Sequence, residues 1–261
     1  MHASVPDPAA AADRLRALPP GDGAVRMLRT GAVAEVVLDH PRRRNAISVA
    51  MMLAFADAVE QLEASPPTAV LLHGAGGRAF CAGGDLRAVR AHLLDGSAAA
   101  AMTSLMTDTL DRLAGLPSLV FGAVDGPALG GGAEILTACH HITASAAARI
   151  GFVHARLGVS PGWGGARRLV ARIGHRRAAL VLAQAERMSA SAARNWDLVD
   201  EVVDEGLALP RARARAEAVA ALPSGSVRAA LRVAKSPATE AEVFLGLWGG
   251  PAHRKALGPP R

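Results

Sequence analysis

Two glycine-rich stretches carry the strongest chemical signal in this chain of 261 residues. Phe80-Cys81-Ala82-Gly83-Gly84-Asp85 and Ala128-Leu129-Gly130-Gly131-Gly132-Ala133-Glu134 each follow a run with the character of a buried strand and lead into helical sequence. At such a corner the first helical N–H groups lack intrahelical partners, the helix dipole adds partial positive charge, and glycine removes the Cβ that would keep a ligand away. One corner alone is compatible with a tight turn or a phosphate cradle. Neither stretch has the Lys-Ser/Thr of a Walker loop, and Gly130-Gly131-Gly132 lacks the spacing of a dinucleotide fingerprint. Two corners in one domain can each donate one N–H to the same oxygen. That is an oxyanion hole, in which loss of one donor costs roughly a hundredfold to a thousandfold in rate. Glu134 stands directly beside the second corner.

The elements that must hold these corners follow from periodicity. Ala32–Leu38, Ala69–His73 and Leu119–Val124 are short apolar runs with β-branched residues and read as strands. Met52, Phe55, Val59 and Leu62 recur at three- and four-residue steps, predicting a helix from about Val49 to Glu63. Ala98–Leu116 is expected to be helical and to stop at Pro117. A helix runs from the second glycine stretch through Glu134 to Ala138, and short strands are expected around Ile142 and Ile150. After Trp163-Gly164-Gly165 the pattern is mostly helical. Strands with interleaved helices followed by helices predict an α/β core with a helical C-terminal unit. The expected division is a loose Ala/Pro-rich arm over residues 1–20, a core over 21–190 and a helical oligomerisation region over 191–261.

Bulk composition narrows the function. Hydrophobic residues make up 51% of the chain, enough for one large core. No apolar stretch is long enough to cross a bilayer, and the first residues lack a signal-peptide pattern. Asp7 and Asp13 weigh against a mitochondrial presequence. The formal net charge of +6 suits a polyanionic ligand. Aromatics are only 3% and Tyr is absent, so the basic–aromatic platform of a nucleic-acid binder is missing and a phosphorylated small molecule is favoured. Cys81 and Cys139 offer neither metal-ligand spacing nor a disulfide framework, which fits a reducing cytoplasm. Asp85 is expected to cap the helix after it, while His73, His140 and His141 are read as structural.

Together the two glycine segments resemble the signature of the crotonase superfamily, also called the enoyl-CoA hydratase/isomerase family. The resemblance extends from about Val25 to the C-terminus. It implies a crotonase fold, that is, a core of repeated ββα units with a helical C-terminal region, assembled as trimers or dimers of trimers. It implies Gly84 and Gly131 as the two N–H donors and the carbonyl of an acyl-CoA thioester as their target, with no cofactor or metal beyond the CoA of the substrate. Basic CoA contacts are implied at Arg42, Arg43 or Arg44 and at Arg87, with Arg254 and Lys255 reaching towards a neighbouring subunit. Ala82 and Trp163 are placed with the substrate-binding residues, Trp163 as a wall of the acyl pocket.

One departure matters. Hydratases of this family use two glutamates to activate water. Glu134 matches the first, but the second falls at His154. Asn45-Ala46-Ile47-Ser48, Phe152-Val153-His154, Pro161-Gly162-Trp163-Gly164-Gly165 and Leu247-Trp248-Gly249-Gly250-Pro251-Ala252 resemble the ethylmalonyl-CoA decarboxylase branch. The activity this implies is decarboxylation of a short alkylmalonyl-CoA, with Glu134 and His154 sharing polar contact and proton delivery. The alternatives are hydration or isomerisation of an enoyl-CoA, and a non-catalytic acyl-CoA-binding subunit.

Overall fold

A computed structural model describes residues 5–258, so Met1–Ser4 of the expected arm and the last three residues lie outside it. The larger sheet has six strands in the order β1-β2-β3-β4-β6-β9. These are β1 (Ala24–Thr30), β2 (Val33–Asp39), β3 (Ala69–Gly74), β4 (Leu119–Val124), β6 (His141–Ser145) and β9 (Glu201–Val203). Only β1 runs antiparallel to its neighbour; β2 to β9 are parallel. The near-continuous burial of β3 and β4 is what a parallel strand covered on both faces requires. A second layer pairs β5 (Pro127–Leu129) with β7 (Arg149–Gly151) and β7 with β8 (Met188–Ser189). Single bridges, Ile47 to Gly84 and Cys81 to Ala128, extend this layer towards the N-terminal units.

The repeated ββα unit is visible in this arrangement. A strand of the large sheet ends, the chain makes a short strand or a bridge in the second layer, and a helix begins. β2 leads through Ile47 to α2 (Val49–Ala64), β3 through Cys81–Gly84 to α3 (Leu86–Ala88), and β4 through β5 to α5 (Gly131–Leu136). Both glycine stretches therefore sit at helix starts in adjacent units. Asp85 caps α3 by accepting from the Arg87 N–H at 2.8 Å. Ser48 caps α2 by accepting from Met51 N–H at 3.2 Å.

The expected loose arm is corrected within the described residues. α1 (Pro8–Arg16) is helical, capped by Asp7, and fully buries Ala11 and Leu15 at i, i+4 spacing. These residues join the core that holds α4 (Gly96–Gly115). The C-terminal region departs from an all-helical unit as well. After α6 (Gly165–Ile173), α7 (His175–Gln184) and α8 (Ala190–Asn195), β9 joins the large sheet and α9 (Ala208–Ala220) buries Ala212 and Ala216 against Leu71 and Phe121. Among the described residues, α10 (Ser224–Lys235), α11 (Glu240–Leu247) and α12 (Pro251–Leu257) contribute no side chain to these hydrophobic clusters. Among the described residues no helix is long and apolar enough to cross a membrane.

Candidate active site

Gly84 lies between two residues that are both engaged in its bridge. Ile47 N–H donates to the Gly83 carbonyl and Asp85 N–H donates to the Ile47 carbonyl, each at 2.8 Å. The Gly84 N–H itself is left out of that ladder. Gly131 is the first residue of α5, where no intrahelical acceptor exists. Among the described residues neither N–H has a hydrogen-bond acceptor. The two corners touch: a Cβ on Gly83, whose φ is +99°, would come 2.9 Å from the Leu129 carbonyl oxygen and 3.4 Å from the Gly131 nitrogen.

Trp163 connects both corners. A Cβ on Gly131 would fall 2.2 Å from Cζ3 of the indole, and one on Gly84 would meet Cζ2 at 4.0 Å. The indole is buried and spans the two glycines. Its position is set by the carboxylate of Glu134, which is 1% exposed. Oε2 accepts the Trp163 N–H at 2.8 Å and the Gly165 N–H at 3.0 Å, and Oε1 accepts the Gly162 N–H at 3.4 Å. Residue 165 must be glycine for this, since a Cβ there would lie 2.4 Å from Glu134 Cγ. Oε1 also meets His154 Nε2 at 3.0 Å. His154 Nδ1 is buried and, among the described residues, has no hydrogen-bond partner. The imidazole lies in the single helical turn Val153–Leu157 after β7, with Nε2 3.9 Å from where a Cβ on Gly130 would be.

The structure thus brings Gly84, Gly131, Glu134, His154 and Trp163 into one contiguous cluster. The proposed CoA contacts are less closely tied to it. Arg42 and Arg43 occupy the turn Pro41–Arg43, and Arg44 follows in a left-handed conformation, its carbonyl accepting from Ala82 N–H at 2.9 Å. Buried Asn45 fastens this turn to the first glycine segment through the Ala75 and Ala79 carbonyls. Ala82 is half-buried, and the side chains of Arg42, Arg44 and Arg87 reach the surface. Arg254 is bonded to the Gly249 carbonyl at the start of α12. Cys81 is inert beside the corner, burial pushing its thiol up to about 12.

Arg168 is the residue that sequence reasoning missed. Arginine is a residue type expected at the surface, yet Arg168 is buried. Its guanidinium donates to the Trp163 carbonyl at 2.5 Å, to Thr137 Oγ1 at 3.0 Å and to Asp111 Oδ1 at 2.6 Å. Thr137 Oγ1 in turn donates to the Glu134 carbonyl. Burial lowers the Arg168 pKa, and Asp111 opposes that shift. A signal existed: α6 buries Gly165, Arg168, Leu169 and Ile173, which puts position 168 on the apolar stripe. His73 lies elsewhere, lining a cavity of about 330 Å³ beside α9 with Glu35, Asp125 and Arg213, a lining that includes none of the glycine-corner residues.

Residues 29–243 match the family model described as Enoyl-CoA hydratase/isomerase. Ethylmalonyl-CoA decarboxylase of Danio rerio is 37% identical over 260 residues, covering 94% of this chain and 85% of that protein. The Mus musculus protein of the same name is 34% identical over 91% of this chain and 77% of its own length. Among solved structures, an enoyl-CoA hydratase from Bacillus anthracis superposes with a TM-score of 0.82 at 29% identity, covering 91% of this chain and 95% of that one. An enoyl-CoA hydratase from a Polaromonas species gives 0.78 at 26% identity, with 86% and 91% covered. With this fold, these two glycine corners and a family match across most of its length, the chain belongs to the enoyl-CoA hydratase/isomerase family of the crotonase superfamily.

Proposed function

We propose that this protein decarboxylates a short alkylmalonyl-CoA, of the ethylmalonyl or methylmalonyl class, with the thioester oxygen received between the Gly84 and Gly131 N–H groups. Cleavage of the bond to CO2 moves its electron pair through the α-carbon onto that oxygen. Two N–H donors aimed at one oxygen hold the enolate more tightly than the starting carbonyl, which is how binding becomes rate. The thioester is its own electron sink, so the reading calls on no cofactor beyond CoA. Arg42, Arg43, Arg44 and Arg87 are proposed to meet the phosphates, and Ala82 and Trp163 to border the acyl group. The proposed assembly is a homotrimer or a dimer of trimers, with α10–α12 at its contacts. The unpaired thiols of Cys81 and Cys139 suit the reducing cytoplasm.

The observation that carries decarboxylation over hydration is the state of Glu134. Its two oxygens already accept from Gly162, Trp163, Gly165 and His154, and the second glutamate of a hydratase is replaced by His154. No carboxylate pair is left to activate water. The names of the curated relatives agree. The test incubates pure protein with ethylmalonyl-, methylmalonyl- and crotonyl-CoA and reads the products by mass. Loss of CO2 from the first two is expected. Hydration of crotonyl-CoA with both malonyl thioesters untouched would reverse the reading, and binding without turnover would make the chain an acyl-CoA-binding subunit.

A further inference from the structure

We infer that His154 hands the proton to the α-carbon from Nδ1, and that Glu134 is a positioning residue that does not touch the substrate. This rests on the enolate chemistry proposed above. An ionised carboxylate offers about four lone-pair sites, and at Glu134 four donors occupy them: the N–H groups of Gly162, Trp163 and Gly165, and His154 Nε2. A proton carried on Glu134 would have to displace one of these donors, and with it part of what fastens the 162–165 loop and the indole. The carboxylate is thus fully used in holding Trp163 against Gly131 and in turning the imidazole.

His154 is the complementary case. With Nε2–H given to Glu134, the other ring nitrogen is buried and has no hydrogen-bond partner among the described residues. Leaving such an atom unmatched forfeits its hydration with nothing in return, and buried orphans of this kind are rare outside sites where they are used. Nε2 of the ring stands 3.9 Å from where a Cβ on Gly130 would be, which sets the imidazole beside the residue preceding the Gly131 donor. In the doubly protonated ring Glu134 retains the Nε2 hydrogen, and Nδ1–H is the one free to leave. The balance closes: the bond from Cα to CO2 breaks and its pair becomes the enolate; the enolate pair then takes the Nδ1 proton, giving the saturated acyl-CoA and neutral imidazole, which solvent reprotonates. Cleavage precedes this transfer, so the donor decides the fate of the enolate more than its formation.

Stereochemistry reads that difference. In D2O the wild-type protein should convert ethylmalonyl-CoA to a single enantiomer of 2-deuteriobutyryl-CoA. His154→Gln should release CO2 within about tenfold of wild type, because general acid help is withdrawn only after cleavage, yet yield racemic product. Glu134→Gln should raise KM and lower the unfolding temperature while keeping one enantiomer. Racemic product from Glu134→Gln with stereochemistry intact in His154→Gln would overturn the assignment, as would a single enantiomer from both. A second measurement follows exchange of the α-hydrogen of butyryl-CoA with D2O by NMR, which requires the proton step alone. His154→Ala should lose exchange and regain it with added imidazole; undiminished exchange in this folded variant would also sink the proposal. If no malonyl thioester is decarboxylated but exchange still depends on His154, the reaction assigned above fails while the role of His154 stands.

Discussion

Gly131 and Trp163 form a contact that admits no extra atom. The indole carbons Cζ3, Cη2 and Cε3 stand 2.2, 2.5 and 2.8 Å from the position of an added Cβ, and the ring has little room to retreat because the Trp163 backbone N–H and carbonyl are held by Glu134 and Arg168. Gly131→Ala is therefore expected to displace the N–H it carries and lower kcat by roughly a hundredfold or more, the scale for losing one donor to a developing oxyanion. Pairing it with Trp163→Ala removes the clashing ring. The double variant should recover part of the loss in steady-state assays, whereas a double variant no better than Gly131→Ala would show that the indole is not the obstacle. At this scale the candidate cluster was readable in sequence where a residue type is unusual for its place, as with paired glycines beside Glu134 and a histidine where hydratases carry glutamate. Arg168 was hidden because an arginine reads as surface until its helix face is known.

Elements were legible where burial is complete and invisible where it is partial. β3 and β4 are continuous apolar runs and were expected within a residue of their ends. β1 escaped because Arg26 and Arg29 interrupt it and most of its residues are exposed. α1 escaped because an Ala/Pro-rich composition says nothing of the two positions, Ala11 and Leu15, that meet the core. Leu15→Ala should cost about 2–4 kcal/mol, as deletion of a fully buried leucine does, measured as a fall in the urea midpoint; an unchanged midpoint would mean that α1 is not docked. β9 and α9 are joined by charge: Glu201 accepts from Arg211 Nε at 2.8 Å and Arg215 Nε at 2.7 Å. The Arg215 hydrogen bond foremost, and then that from Arg211, hold its carboxyl down to about 2. A depressed carboxylate contributes stability above its unfolded value near 4.5 and loses it as pH falls towards about 2. Glu201→Gln should be about 1 kcal/mol less stable than wild type at neutral pH, since the arginines are solvent-screened. The gap should close between pH 4.5 and 2 in acid titrations followed by circular dichroism.

At the scale of the whole molecule, α11 and α12 present a cluster of exposed large apolar residues. Phe244, Leu245, Trp248 and Leu257 are exposed by half or more on α11, α12 and the turn between them, and Phe244, Trp248 and His253 stack with ring centroids 5.0 and 4.6 Å apart. Single exposed apolar residues are ordinary, but a cluster of large ones at one end of a chain needs cover. The sequence announced a helical C-terminal region. It did not announce that β9 and α9 return to the sheet, because a three-residue strand and an Ala/Arg helix have no pattern that separates inward from outward attachment. Once those elements are assigned to the core, α10–α12 are the elements left to carry the contacts of the proposed assembly. Phe244→Glu with Trp248→Glu places two charges in that cluster without touching the glycine corners. Wild type is expected to sediment as a trimer or its dimer and the double variant as a monomer, with far-ultraviolet circular dichroism unchanged. Charged residues in a buried contact cost several kcal/mol through desolvation, enough to dissociate a trimer at micromolar protein. A wild-type monomer, or a variant that sediments with wild type, would mean that these side chains contribute nothing to assembly.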